Sequence, residues 1–293
     1  MVTKNAPEKK ETQGGQSFEL IMPVAEFFRN VNAGNVLKGA LRGAEVIIAG
    51  SELYRLCKAD PEGVAKASVS LLPQKELFDL LRSARDNSGR DVYRNAKFEM
   101  GKVDVTATYG VQTFINVKAL DSLSRRNEFM RQFGIDMVNS GNAYVIRYDG
   151  DRKYAAILVP PIVIHYKKEL YAVPMGNLEA MVAKGDAITI KGVNGDAAVD
   201  LGSVLAIARE EIAKPGATVA VIKDGSHRAF ISYTANVPLT AIIIRDSDEA
   251  PTSAPINFFN MIMTNERPDR ADHRYPGVYQ GGRVDLRKIG IDP

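Results

Sequence analysis

Cysteine is almost absent from this sequence. Cys57 is the single one in 293 residues. No intramolecular disulfide can form, so a reducing, cytoplasmic setting is expected. Its neighbours Glu52-Leu53-Tyr54-Arg55-Leu56 look helical, and a small core residue fits better there than a nucleophile. Histidine is scarce as well. His165, His227 and His273 lie far from Cys57 and from one another, whereas structural zinc takes about four Cys or His ligands. No metal ligand is assigned. No apolar run nears the roughly 20 residues of a membrane helix. Residues 1–16 lack the apolar core of a secretory signal, so no membrane partner is expected. The formal net charge is only +3, which is not the footprint of a dedicated nucleic-acid binder.

What is present is ordinary globular usage, with 45% hydrophobic and 25% charged residues. The length allows one large domain or two ordinary ones, with a sizeable core. Residues 1–17 are polar and charged and are expected to be a disordered tail. Helical spacing follows at 17–28 and recurs at 62–69, 73–85, 120–137, 175–184 and 201–214. Period-2 alternation at 97–117, with Tyr109-Gly110 between two runs, predicts a hairpin or strand pair. Residues 143–148 and 154–159 read as strands joined across Asp149-Gly150-Asp151-Arg152, a strong hairpin signal. Further strands are expected at 162–166, 169–173, 187–190, 219–222 and 240–245. The fold class is therefore α+β. A mixed region of unknown role spans 18–148, and a strand-rich domain spans 149–293.

The residues with most chemical content are Asp224-Gly225-Ser226-His227-Arg228. They follow the apolar run Val219-Ala220-Val221-Ile222 and precede Ala241-Ile242-Ile243-Ile244. Two arrangements fit. Asp224-Gly225 can be a hairpin turn with 230–235 as the return strand, which suits Ile231, Tyr233 and Thr234. Alternatively, Ser226 or His227 opens a short helix that stops at Asn236-Val237-Pro238. In that case the N–H groups of its first turn, with Arg228 and His227, can hold a phosphate.

The stretch 219–244 resembles the core of the ParB/sulfiredoxin-like superfamily. Its form is an apolar strand, Asp or Gly, Gly, a variable residue, His or Arg, then Arg, followed by a short helix, a proline-bearing loop and an apolar strand. Val159-Pro160-Pro161-Ile162-Val163 is similar to the opening strand of that fold, so the looser match runs over 154–246. The resemblance implies a ParB/sulfiredoxin-like domain that binds a nucleotide such as ADP, ATP or CTP, with Mg²⁺ as a companion. Gly225 would permit close approach, Ser226 would offer its N–H and hydroxyl, and His227 and Arg228 would hold phosphate oxygens. Asp224 and His227 are the candidate catalytic residues, and Asp224 could orient Arg228 or reach magnesium. Two departures narrow the role. Ser226 stands where sulfiredoxins carry cysteine, and the residues after Asp246 lack the paired helical pattern of a partition protein's DNA-binding domain. A magnesium-dependent phosphotransferase or nucleotide hydrolase is the expectation that remains, with Glu210, Glu211 or Asp246 as further carboxylates.

Two basic clusters supply the alternative. Arg82, Arg85, Arg90 and Arg94, and later Arg125, Arg126 and Arg131, could touch DNA, although interleaved acids suit a solvated surface. Arg267, Arg270, His273, Arg274 and Tyr275 could strap over a bound nucleotide. A non-catalytic DNA-interacting module and a structural assembly protein are the competing classes.

Overall fold

A computed structural model describes residues 46–47, 50–82, 91–150, 153–258 and 261–265. The expected tail at 1–17, the helical spacing at 17–28, Arg85, Arg90 and the 267–275 cluster lie outside the described residues. The architecture is α+β, with strands and helices mixed along the chain. It opens with β1 (Val46–Ile47), α1 (Gly50–Ala59), β2 (Ala67–Leu72) and α2 (Gln74–Arg82). Next come β3 (Lys97–Val103), a 3-10 turn, β4 (Tyr109–Gly110), β5 (Phe114–Asn116) and α3 (Val117–Arg131). The hairpin β6 (Ala143–Asp149) and β7 (Lys153–Leu158) leads to β8 (Ile162–Lys167) and α4 (Ala172–Lys184). Then follow β9 (Ile188–Gly192), β10 (Gly195–Val199), α5 (Leu201–Ala213) and β11 (Thr218–Asp224). The described chain closes with α6 (Ser226–Ala235), β12 (Leu239–Arg245) and β13 (Ile262–Thr264).

The described strands form three sheets, ordered β1-β7-β6-β2, β3-β12-β8-β11-β4 and β10-β9-β13-β5. The middle of the five-stranded sheet is made by the most continuous apolar runs. Ile162, Val163, Ile164, Ile222, Ile242 and Ile244 are fully buried. Such runs suit strands covered on both faces, and burying each aliphatic side chain contributes about 1.5–3 kcal/mol. β8 pairs parallel with β12 and antiparallel with β11. The helix between β11 and β12 therefore carries the chain across β8. A second core gathers Leu53, Cys57, Leu123, Phe129, Ile146 and Leu158. Cys57 is buried there, and burial pushes its thiol up to about 11, which makes it an inert core residue.

All three sheets contain strands from both sides of the 148/149 division. The stretches 18–148 and 149–293 are thus joined through backbone pairing. Strands β3, β4 and β5 do not pair with one another, contrary to the hairpin expected at 97–117. They pair with β12, β11 and β13. Lys97–Val103 and Phe114–Asn116 are strands as read, but Val105–Ala107, read as part of the alternation, is a 3-10 turn, and the strands' partners lie more than a hundred residues away. Two further expectations are corrected. Residues 61–66 are turns and Ala67–Leu72 is a strand, not a helix, because this stretch pairs in full register with β6. Residues 169–173 are not a strand. Lys168–Tyr171 is a 3-10 turn leading straight into α4, whose first turn accommodates Pro174. The 143–158 hairpin, the 201–213 helix and the strand–loop–helix–strand order at 218–245 are as expected.

Candidate functional site

The site is built where β11 ends. Ile222 faces Val163 on β8, but the next pair is Asp224 with Ile162, so Lys223 is an extra residue in the ladder. A bulge of this kind bends the strand and re-aims the side chain that follows. Gly225 then adopts φ 87°, in the left-handed region that favours glycine. A Cβ at this position would lie 2.9 Å from Cβ of Pro161 and 3.2 Å from Nη2 of Arg228. Glycine is therefore required twice, by its backbone angle and by the close approach of the Val159-Pro160-Pro161 connection.

The helix α6 begins immediately. Its first intrahelical bond runs from Ala229 N–H to the Gly225 carbonyl at 2.9 Å. The N–H groups of Ser226, His227 and Arg228 precede that bond and lie outside the helical ladder. No side chain caps this end, because the N-cap is Gly225. The helix stops at Asn236, also left-handed, which Val237 and Pro238 follow.

The four side chains of the loop are drawn inward. Asp224 is 4% exposed, Ser226 8%, His227 5% and Arg228 1%. Arg228 Nη1 donates to the Val159 carbonyl at 2.7 Å, tying the helix to the opening of β8. Among the described residues, neither Nε nor Nη2 of Arg228 has a hydrogen-bond partner. Burial draws the Arg228 guanidinium down to about 10; the Asp224 charge opposes this and the Arg126 charge adds to it. His227 Nε2 accepts the Asn116 backbone N–H at 3.1 Å. That bond places the ring proton on Nδ1. Asn116 is itself the N-cap of α3, its Oδ1 accepting the Ala119 N–H at 2.9 Å.

The structure thus brings Asp224, Gly225, Ser226, His227 and Arg228 together at one helix start. It adds Asn116 and the Val159 carbonyl, which sequence reasoning did not assign to the site. An asparagine directly before a helical run was the available signal for Asn116. The other carboxylates are engaged elsewhere. Glu211 accepts the Tyr109 hydroxyl at 2.7 Å and pairs with Lys214 at 2.6 Å. Glu210 is exposed. Asp246 sits at a turn with φ 57° and pairs with Lys97 at 2.8 Å. Of the basic clusters, Arg82 pairs with Asp79 and lies over the Phe98 ring, and Arg125 pairs with Asp121. Arg126 is buried.

No protein-family model matches this chain, and neither a curated protein nor a solved structure matches it. A helix start with N–H groups outside the ladder, beside a buried guanidinium with two nitrogens that lack partners among the described residues, offers the donors that an anion takes. Among the described residues, no group of three or more His, Cys, Asp or Glu could hold a metal ion. None of the described helices is long and apolar enough to cross a membrane.

Proposed function

We propose that this chain binds a nucleotide by its phosphates at the first turn of α6, within a ParB/sulfiredoxin-like arrangement of β8, β11, α6 and β12. Arg228 carries the reading. A fully buried guanidinium costs several kcal/mol to desolvate unless its donors are met. Here two of its nitrogens lack partners among the described residues, beside a helix start whose cap offers no acceptor. A phosphate oxygen supplies what both lack. The choice of a nucleotide comes from the resemblance of residues 219–244, and the strand–loop–helix–strand order there supports it.

Magnesium fits as the nucleotide's companion rather than as a resident ion. It keeps waters and takes one or two carboxylates besides the phosphates. Asp224 is the carboxylate of this loop, and no protein cage is formed among the described residues. When bound, the ion would supply charge neutralisation at the phosphates. The protein's own part is to hold the phosphate with Arg228 and the α6 N–H groups, and to donate through the imidazole of His227. Turnover, as a phosphotransferase or hydrolase, is the finer part of the proposal and assigns the base to Asp224.

The test is thermal stability with ADP, ATP, CTP and GTP, each with and without Mg²⁺. A ligand at 100 times its Kd stabilises by about 2.7 kcal/mol. The expected result is a raised midpoint with at least one nucleotide, lost in Arg228→Lys, which keeps the charge but not the planar fork. The reading is wrong if no nucleotide moves the midpoint. It is equally wrong if the shift survives unchanged in Arg228→Lys.

A further inference from the structure

Lys223 is the extra residue in the ladder between β11 and β8. Backbone pairing alone does not fix such a residue. A slip of the strand by one would set Lys223 opposite Ile162 in the place of Asp224, and would turn the following side chains to the other face. Gly225 and the start of α6 follow directly, so they would move with it. What holds Lys223 comes from outside the sheet. Its Nζ donates to Glu249 Oε1 at 2.5 Å, and the other carboxylate oxygen of Glu249 accepts the Tyr93 hydroxyl. The side chains of Lys223 and Glu249 are 22% and 14% exposed, and Tyr93 is fully buried. Burial, and then the Glu249 charge, push the Tyr93 phenol well above its ordinary range, so it stays a donor. Glu249 is anchored in turn. Its N–H donates to Ser247 Oγ at 2.9 Å, and the Asp248 N–H donates to the Val92 carbonyl at 3.0 Å.

A largely buried ion pair adds little to stability, and its best-attested use is to fix register. Here residues 92–93 and 247–249, far apart in sequence, meet on the one residue whose placement sets the loop. We propose that Lys223, Glu249 and Tyr93 are positioning residues of the anion site. They pin the bulge, so that Asp224 and the first turn of α6 keep the placement in which Arg228 meets a phosphate. None of the three touches the phosphate itself. This deepens the nucleotide-phosphate reading and rests on it.

The test uses the full chain with inorganic pyrophosphate as the probe. Should pyrophosphate not bind while a nucleotide raises the midpoint, that nucleotide is the probe. Affinity is read by isothermal titration calorimetry well below the thermal midpoint, where a loss of global stability does not enter. Glu249→Gln and Lys223→Met should each weaken binding about tenfold, and the double variant should be no weaker than either, because both remove one link. Lys223→Arg keeps a cation for Glu249 and should bind within about twofold of wild type. A folded Glu249→Gln that binds as wild type does overturns the inference and leaves the phosphate reading standing. Losses that multiply to about a hundredfold in the double variant also overturn it, since Lys223 would then meet the anion directly. Wild type that binds neither pyrophosphate nor any of the four nucleotides overturns both. Should Glu249→Gln not fold, the two Lys223 variants decide. Weak binding in Lys223→Met restored in Lys223→Arg supports the assignment, and equal binding in the two overturns it.

Discussion

Three helix starts in this protein can be set side by side. α3 begins at Asn116, whose side chain accepts the Ala119 N–H at 2.9 Å. α5 begins at Asp200, whose carboxylate accepts the Ser203 N–H at 3.0 Å and the Ser203 hydroxyl at 2.6 Å. α6 begins at Gly225 and has no such acceptor. Two starts are closed by the chain's own oxygens. The third is lined by buried polar groups, with Arg228 beside it. A structural helix meets its first N–H groups locally, at about 1 kcal/mol per cap. α4 also has no side-chain cap at Tyr171, but a 3-10 turn leads into it; α6 has no such turn before it, and on the proposed reading a phosphate meets its first N–H groups. The opposite end of α5 makes the same point. There Lys168 Nζ donates to the carbonyls of Glu211 and Ile212 at 3.0 Å each, and to that of Lys214.

The comparison can be broken most decisively at Gly225. Gly225→Val forces a β-branched residue into a left-handed backbone with Pro161 behind it. A loss of about 3 kcal/mol or more in urea unfolding is expected. A loss below about 1 kcal/mol would show that the loop relaxes freely and that its geometry is not fixed. Next in size is Lys168→Met, which strips the cation from the end of α5. It should cost about 1.5 kcal/mol by the same measurement. Asn116→Ala and Asp200→Ala should each cost about 1 kcal/mol, and Asn116→Ser and Asp200→Ser should restore most of it. These two differ in one respect. Asn116→Ala also disturbs the amide that meets His227, so it should weaken nucleotide binding, while Asp200→Ala should leave binding as it is.

The smallest effect concerns acid. Burial, and then the Arg245 charge, lower the pKa of His165. Its folded value lies below its unfolded one, so the unfolded chain binds the proton more readily. Its contribution to stability is complete above the ordinary histidine value of about 6.5 and declines as pH falls below that. In His165→Gln this part of the decline should disappear. Midpoints measured across mildly acidic to neutral pH check it, and an unchanged profile would remove His165 as the cause.

The legibility of the fold followed the range of its contacts. The 218–245 segment could be read because its punctuation is local. Gly225 supplies the left-handed turn, and Asn236-Val237-Pro238 supplies the exit. The 143–158 hairpin was equally local. Residues 97–117 showed a strand period that ran on over the 3-10 turn Val105–Ala107, and they hid their partners, since nothing within β3 names β12. Residues 67–72 failed for a related reason. Ser68, Val69 and Ser70 fit either period, and only the ladder with β6 decides. The loop residues were legible as chemistry, but not their burial. Arg126 could not be separated from Arg125 by sequence, because which of two adjacent helix positions faces inward depends on what packs against α3.

The pairing of β3 with β12 has a consequence for synthesis. Lys97–Val103 finds its partner only at Leu239–Arg245, and β5 waits for Ile262–Thr264. As the chain leaves the ribosome, β3 and β5 therefore carry open strand edges through about half of translation. Non-local pairing of this kind is slow to close and exposed to misassociation meanwhile. The last described strands to be made, β12 and β13, are the ones that close β3 and β5.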